Sequence, residues 1–301
     1  MHELIRSNKR RSALLITGFV IVVVLVGTAI GWLFGGGIWS LLVALVVAGA
    51  LAFASYWKSD AVALRVSRAQ PADEREYARL HNLVEGLCIA SGLPKPDVYI
   101  VDDPAPNAFA TGRNPRHASI AVTTGLLDMM NRVELEGVVA HELSHIRNYD
   151  VLVSTLAVTM VGAVALLGDM GIRMMWWNGG RVRRAGDHAD RNNPLAFIGF
   201  GLIALSPIAA KAMQAAISRQ RESLADVSAC QMTRYPPGLI SALEKLQADH
   251  TATHSASTAT AHLWIEQPMS GLGDDGKLRT SHRWFDTHPS LDERIALLRE
   301  L

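Results

Sequence analysis

Apolar and polar positions alternate on three different scales along this chain, and each scale predicts a different kind of element. The coarsest comes first: no charged residue occurs from Ala13 to Trp57. Gly35-Gly36-Gly37 divides that run into two pieces of about twenty residues, each long enough to cross a hydrocarbon core of roughly 30 Å. The pattern therefore predicts two membrane-spanning helices, at about residues 13–34 and 38–57. Trp32, Trp39, Tyr56 and Trp57 lie near the ends of the two pieces, as interfacial aromatics do. The first run is far longer than the apolar core of a signal peptide and a second follows at once, so the hairpin reads as retained. Arg6, Lys9, Arg10 and Arg11 before it, and Lys58, Arg65 and Arg68 after it, put both ends on the cytoplasmic side.

Finer periods follow. Helical spacing of Tyr77, Leu80, Leu83, Val84 and Leu87 predicts a helix from about Asp73 to Ala90, stopped by Pro94 and Pro96. Asp97 to Val101 and Ala118 to Thr123 read as strands, separated by the turn-rich Gly112-Arg113-Asn114-Pro115, with Asn107 to Thr111 another short extended segment. A helix is expected from about Arg132 to Asn148, a polar one from Ser218 to about Cys230, one from Gly238 to Ala248 after Pro236-Pro237, and a last one from about Leu291. Asp249 to Thr260, rich in Thr, Ser, Ala and His, reads as a mobile loop.

A second apolar pair interrupts this part of the chain. Val151 to Gly168 and Pro194 to Ala210 carry no charge, and the loop between them holds Arg173, Arg181, Arg183, Arg184 and Arg191. Those arginines argue against an external loop, which leaves a short spanning, a re-entrant and a protein-covered hairpin as the readings of the pair. The organisation predicted is a hairpin over residues 1–57 and an α+β, predominantly helical domain over 58–301, interrupted at about 151–217.

Charged residues make up 19% of the 301, a low share that reflects the apolar runs; the net charge of +1 says nothing about nucleic acid, but the lack of a basic, aromatic-interleaved patch argues against it. Cys88 and Cys230 have no metal-type spacing and read as small, reduced, partly buried residues.

The candidate chemistry centres on His141-Glu142-Leu143-Ser144-His145. Residues four apart on a helix point to nearly the same side, so two imidazoles can grip one metal ion while the intervening glutamate takes a proton from a bound water. Val133, Val138, Val139, Leu143 and Ile146 supply the helix-spaced apolar positions. A catalytic zinc site needs a third protein ligand. Glu222 and Asp226 are four apart on one helical face, so one can ligate while the other orients an imidazole. On its own such an acidic pair is more often a solvated face. His250, His254 and His262 fall in or beside the polar loop and read as solvated, and nothing gives His282 a role.

These elements, with Arg221-Glu222-Ser223-Leu224-Ala225-Asp226, His288-Pro289-Ser290-Leu291-Asp292-Glu293-Arg294-Ile295 and Asn107-Ala108-Phe109-Ala110-Thr111-Gly112, occur in an order that resembles the HtpX-type membrane metalloproteases of peptidase family M48. That zinc peptidase group also contains the CAAX prenyl proteases and the mitochondrial Oma1 proteins. The resemblance covers nearly the whole chain and implies a zincin-like fold, one Zn2+ per chain and a multi-pass protease of the bacterial inner membrane. Its active site would face the cytoplasm, and it would degrade damaged, unfolded or misassembled membrane proteins in a stress response.

Residue by residue, the resemblance makes His141, His145 and Glu222 the metal ligands, Glu142 the general base, and Asp226 the acid behind a ligand. His288 becomes a donor to the oxyanion and Arg294 a structural partner, while Asn107, Ala108, Phe109, Ala110 and Thr111 line the substrate cleft. Ser223 departs from the pattern, since an aromatic or larger residue is common there. His145 precedes the third apolar run by about six residues, and Glu222 follows Lys211 by about eleven, so the ion would lie about one to two nanometres above the membrane. The competing readings are a catalytically silent scaffold with a structural zinc site, a zinc carrier or channel, and a CAAX-prenyl-type protease. Glu142 disfavours the first, charge-free leading spans the second, and the chain length the third.

Overall fold

The computed structural model describes residues 2–33, 36–160, 162–163, 219–249, 251, 263–265 and 289–301, and within them the chain begins with a helical hairpin. Helix α1 (His2–Leu33) and helix α2 (Trp39–Val66) are both long and apolar enough to cross a membrane. What lets them pack is a stripe of small residues. Ser40, Ala44, Ala48, Ala52, Ser55, Ser59 and Ala63 form the buried face of α2, against which Phe19 and Val23 of α1 are sealed from solvent. Small side chains permit close backbone approach where apolar lipid supplies no hydrophobic drive. Both helices outrun the apolar stretches that signal them. Charged residues do not break a helix, so α1 includes the basic segment from Arg6 to Arg11 and α2 continues beyond Lys58.

A four-stranded sheet follows, with strands β1 (Gln70–Pro71), β2 (Asp97–Val101), β3 (Ala108–Asn114) and β4 (His117–Thr123) in the order β1-β2-β4-β3. β2 and β4 are parallel, and β3 pairs antiparallel with β4, which leaves β3 at an edge. The β3–β4 connection is tighter than the sequence suggests: β3 runs on to Asn114 and the turn falls at Pro115-Arg116. Gly112 makes this possible. It has φ 141°, and a Cβ there would collide with the His117 carbonyl oxygen.

Helix α3 (Ala78–Ser91) starts later than the periodicity predicts. The Asp73 carboxylate accepts from the Arg75 and Glu76 backbone N–H groups, which turns residues 73–77 outside the helix. Strand β1 and helix α4 (Thr124–Met129), capped by the Thr123 hydroxyl, are too short to leave a periodic signal. Helix α5 (Arg132–Arg147) begins at a capping box in which Asn131 and Glu134 exchange hydrogen bonds. Then come α6 (Asp150–Met160), α7 (Arg219–Thr233), α8 (Pro236–Ala248) and α9 (Leu291–Arg299). α8 starts two residues earlier than expected because Pro236 and Pro237 fit its first turn.

Helix α5 is the centre of the molecule. Val138, Val139, Ala140, Leu143 and Ile146 are wholly buried in a core shared with α3, the sheet, α7, α8 and α9. Gly137 permits the α8 contact, since a Cβ there would lie 2.8 Å from the Leu239 backbone nitrogen. A second core joins Leu15, Phe19 and Val23 of α1 and Ala48 and Ala52 of α2 to Leu152, Val153, Leu156 and Met160 of α6. The rest of the second apolar pair, its arginine-rich loop, His250, His254, His262, His282 and His288 lie outside the described residues.

Candidate metal centre

Two histidines one helical turn apart on α5 meet a glutamate from α7. His141 Nε2 and His145 Nε2 are 3.1 Å apart. Glu222 Oε2 lies 3.4 Å from the first and Oε1 lies 3.7 Å from the second. A tetrahedral ion with bonds of about 2.0–2.1 Å would hold its ligand atoms roughly 3.3 Å apart, so one ion can bridge all three.

The groups behind the rings decide which nitrogen carries the proton. His141 Nδ1 is 2.9 Å from Asp226 Oδ1, and His145 Nδ1 is 3.4 Å from Asp150 Oδ2. A carboxylate at Nδ1 favours the proton there and leaves the lone pair on Nε2. Two imidazole nitrogens and a carboxylate thus converge on one space, a donor set that suits a cation. The residues fit a divalent metal ion.

Asp226 is itself clamped. Arg294 of α9 donates from Nε to Oδ2 at 2.8 Å and from Nη2 to Oδ1 at 2.6 Å, while its Nη1 donates to the Ile265 carbonyl at 3.3 Å. All of these groups are buried. Burial alone would raise the Asp226 pKa, but Arg294 and His141 outweigh it and bring the carboxyl down to about 2. Burial and the Arg294 charge oppose protonation of His141, yet Asp226 and Glu222 hold its pKa above the ordinary imidazole value. Burial likewise opposes protonation of His145, which Glu222 and Asp150 overcome by a wide margin. Glu142 is also shifted upward, for a simpler reason: burial raises its carboxyl pKa, partly offset by the two histidines.

Glu142, His141, His145 and Glu222 share one small cavity of about 20 Å³ with Ala110 of β3 and with Leu263, Trp264 and Ile265. Of the five residues expected along the cleft, only Ala110 lines this cavity. Asn107 is tied down through its backbone N–H to the Thr123 hydroxyl at 2.8 Å. The Ala108 carbonyl accepts from the Ile265 backbone N–H at 3.0 Å. Phe109 packs edge-on against Trp264 at 4.7 Å between ring centroids, and the Thr111 hydroxyl is 3.0 Å from that of Thr155. Two residues at the site escape a reading of the sequence. Asp150 is one; its only signal is an acid standing at the first position of an apolar run. Asn8, its partner from α1, has none.

A helix that brings two such histidines and a glutamate together, mounted on a hairpin long and apolar enough to cross a bilayer, fits the class of membrane metallopeptidases, and the comparisons with known proteins agree. The profile of Peptidase family M48 matches residues 74–301. A protein described as Protease HtpX homolog from Caldanaerobacter subterraneus subsp. tengcongensis is 42% identical over 301 residues, covering 100% of this chain and 98% of that protein. A Protease HtpX homolog from Streptococcus uberis is 38% identical over 304 residues, with 100% of both covered. Among solved structures, that of S. mikatae Ste24p aligns with 99% of this chain and 67% of its own, at 21% identity and a TM-score of 0.49. The chain belongs to peptidase family M48 and is a membrane-embedded metalloendopeptidase.

Proposed function

We propose that the metal is zinc, one ion per chain, held by His141, His145 and Glu222. The observation that carries this reading is the convergence of two Nε2 lone pairs and a carboxylate beside a buried glutamate. Zinc, when bound, would polarise a water and the scissile carbonyl and draw the water's pKa towards 7. Glu142 then accepts the proton of the attacking water and delivers it to the leaving amine nitrogen. Its raised pKa suits that exchange, because a carboxylate of ordinary acidity would hold the proton too weakly. Asp226 keeps the His141 proton on Nδ1, and Arg294 keeps Asp226 charged and in position. His288 is the proposed donor to the developing oxyanion.

An extended peptide would lie along the β3 edge at Ala110, between the Ala108 carbonyl that Ile265 takes and the Gly112 N–H that Thr155 takes, where main-chain hydrogen bonds make little demand on side chains. Low selectivity of that kind suits clearance of damaged or misassembled membrane proteins. We assign the chain to the bacterial inner membrane as a multi-pass protein, with its active site on the cytoplasmic side. The basic residues flanking the first hairpin support that orientation.

The test is paired. Zinc content and cleavage of casein or a model membrane protein are measured for wild type and Glu142→Gln in detergent. Both should hold about one zinc per chain, with cleavage in the variant reduced by about a thousandfold or more, the scale at which a general base contributes alongside correct positioning. A Glu142→Gln protein that cleaves like wild type removes Glu142 from the chemistry.

A further inference from the structure

His145 is supported differently from His141, and its support reaches back to the first helix of the chain. Asp150, whose Oδ2 faces His145 Nδ1 at 3.4 Å, is the first residue of α6 and is buried. Its other oxygen accepts from Asn8 Nδ2 of α1 at 2.7 Å, and that same amide nitrogen donates to the Asn148 carbonyl at 2.8 Å. A primary amide nitrogen carries two N–H donors, so both are used, one on each side of the corner between α5 and α6. The corner is a demanding one: Tyr149 sits at φ 62°, in the left-handed region. Its ring lies under the Lys9 ammonium at 4.8 Å. Arg221, next to Glu222, brings Nε to 3.6 Å from the Asp150 oxygen that Asn8 holds.

Asn8 is buried although it stands in the basic segment that precedes the apolar run. A buried amide with both donors aimed at one corner is poorly explained by membrane anchoring alone, for which any helix-forming residue would serve. The apolar faces agree with the polar ones, since Leu15, Phe19 and Val23 of α1 pack on Leu152, Val153 and Leu156 of α6. One helix thus holds both the polar corner and the apolar side of the element that carries Asp150.

We propose that Asp150 is the positioning residue for His145 and that Asn8 locks it in place, making the first membrane helix a structural part of the metal centre. This rests on the reading that His145 ligates the ion. Asp150 accepts the Nδ1 proton of His145, fixing the tautomer and the ring angle, and Asn8 stops the carboxylate from turning towards Arg221. Partners of this kind behind a metal-ligating histidine alter affinity by roughly 10–100-fold when removed.

The experiment uses the full chain in detergent and reads zinc affinity by chelator competition, together with the visible spectrum of the cobalt-substituted protein. Asn8→Leu removes both donors at similar volume, and Asp150→Asn removes the charge. Each should weaken zinc binding by about tenfold or more and change the cobalt spectrum, and the double variant should lose less than the two losses combined. Phe19→Leu loosens the same α1–α6 contact without touching Asp150; it should lower the melting temperature and leave both readouts unchanged. Asn8→Ser, a milder change, should act in the same direction if Asn8→Leu does not fold. Wild-type affinity and spectrum in either folded Asn8 variant overturn the proposal, as does a Phe19→Leu effect of equal size. His145→Ala separates the two layers: if it binds zinc as wild type does, the ligand reading itself has failed.

Discussion

Asp226 and Arg294 are joined at two points, Nη2 to Oδ1 at 2.6 Å and Nε to Oδ2 at 2.8 Å, in a pair sealed from solvent directly behind His141. Neither residue belongs to the three that could hold a metal, yet together they favour one tautomer of His141, which does. Removing Arg294 would leave a buried carboxylate with its main counter-charge gone. Arg294→Ala should therefore destabilise the protein by roughly 3–5 kcal/mol. Arg294→Lys should recover only part of this, because an ammonium cannot make the two-point contact. Thermal melting of the metal-loaded protein checks both, and a lysine variant melting like wild type would contradict the geometric argument.

The same carboxylate sets an acid limit. Its folded-state pKa of about 2 lies below the ordinary 3.8. A depressed carboxyl pKa gives stability that is fully present above the ordinary value and is lost as pH falls through the folded one. Denaturant midpoints measured for the metal-free protein should thus drop between about pH 4 and pH 2. Asp226→Asn should flatten that part of the profile.

Metal uptake should run the opposite way from imidazole protonation. His141 and His145, the proposed ligands, have pKa values raised above 6.5 in the metal-free protein. Stability due to their protonation is complete below that ordinary value and is lost as pH rises through the raised one. Wherever those protons are bound a metal must displace them, so its affinity should climb as pH rises through the raised pKa values. Titration calorimetry in two buffers of different ionisation enthalpy should give apparent heats that differ. Identical heats would mean that no proton leaves.

Two helix glycines should respond in opposite senses to the same substitution. Nothing lies within 4 Å of a Cβ built on Gly86 in α3, whereas one on Gly137 in α5 would lie 2.8 Å from the Leu239 nitrogen and 2.9 Å from its Cα. Gly86→Ala should stabilise by about 0.5–1 kcal/mol through helix propensity. Gly137→Ala should destabilise by about 1–3 kcal/mol, less whatever propensity returns. Paired melting curves decide it.

Both cysteines should resist modification in the folded protein. Burial raises the thiol pKa to about 11 for Cys88 and for Cys230, so very little thiolate exists at neutral pH. Alkylation followed by mass spectrometry should label neither until denaturant is added. Rapid native labelling of Cys230 would mean that α7 opens.

What could be read from the sequence is what repeats locally. The hairpin was legible because composition over twenty residues is a strong signal, and α5 because His141 and His145 share a face with its apolar stripe. The predominantly helical α+β class followed from the same periods. Glu222 and Asp226 looked like any solvated acidic face, and only their place in a familiar order of motifs marked them. Asp150 and Asn8 carried less still: their hydrogen bond joins residues 142 apart in sequence, and no period spans such a distance. The Asp73 turn and the late start of α3 were missed for a related reason, since side-chain capture of backbone N–H groups competes with helical periodicity without disturbing it.

The distances in sequence between the parts of this site also order its assembly in time. A ribosome makes Asn8 142 residues before Asp150, and Arg294 153 residues after His141. The paired histidines thus exist on the nascent chain well before Glu222 can join them, and longer still before Arg294 can reach the acid behind His141. Because its parts are split across the chain, the set of supports behind the two histidines is complete only once residue 294 has been made.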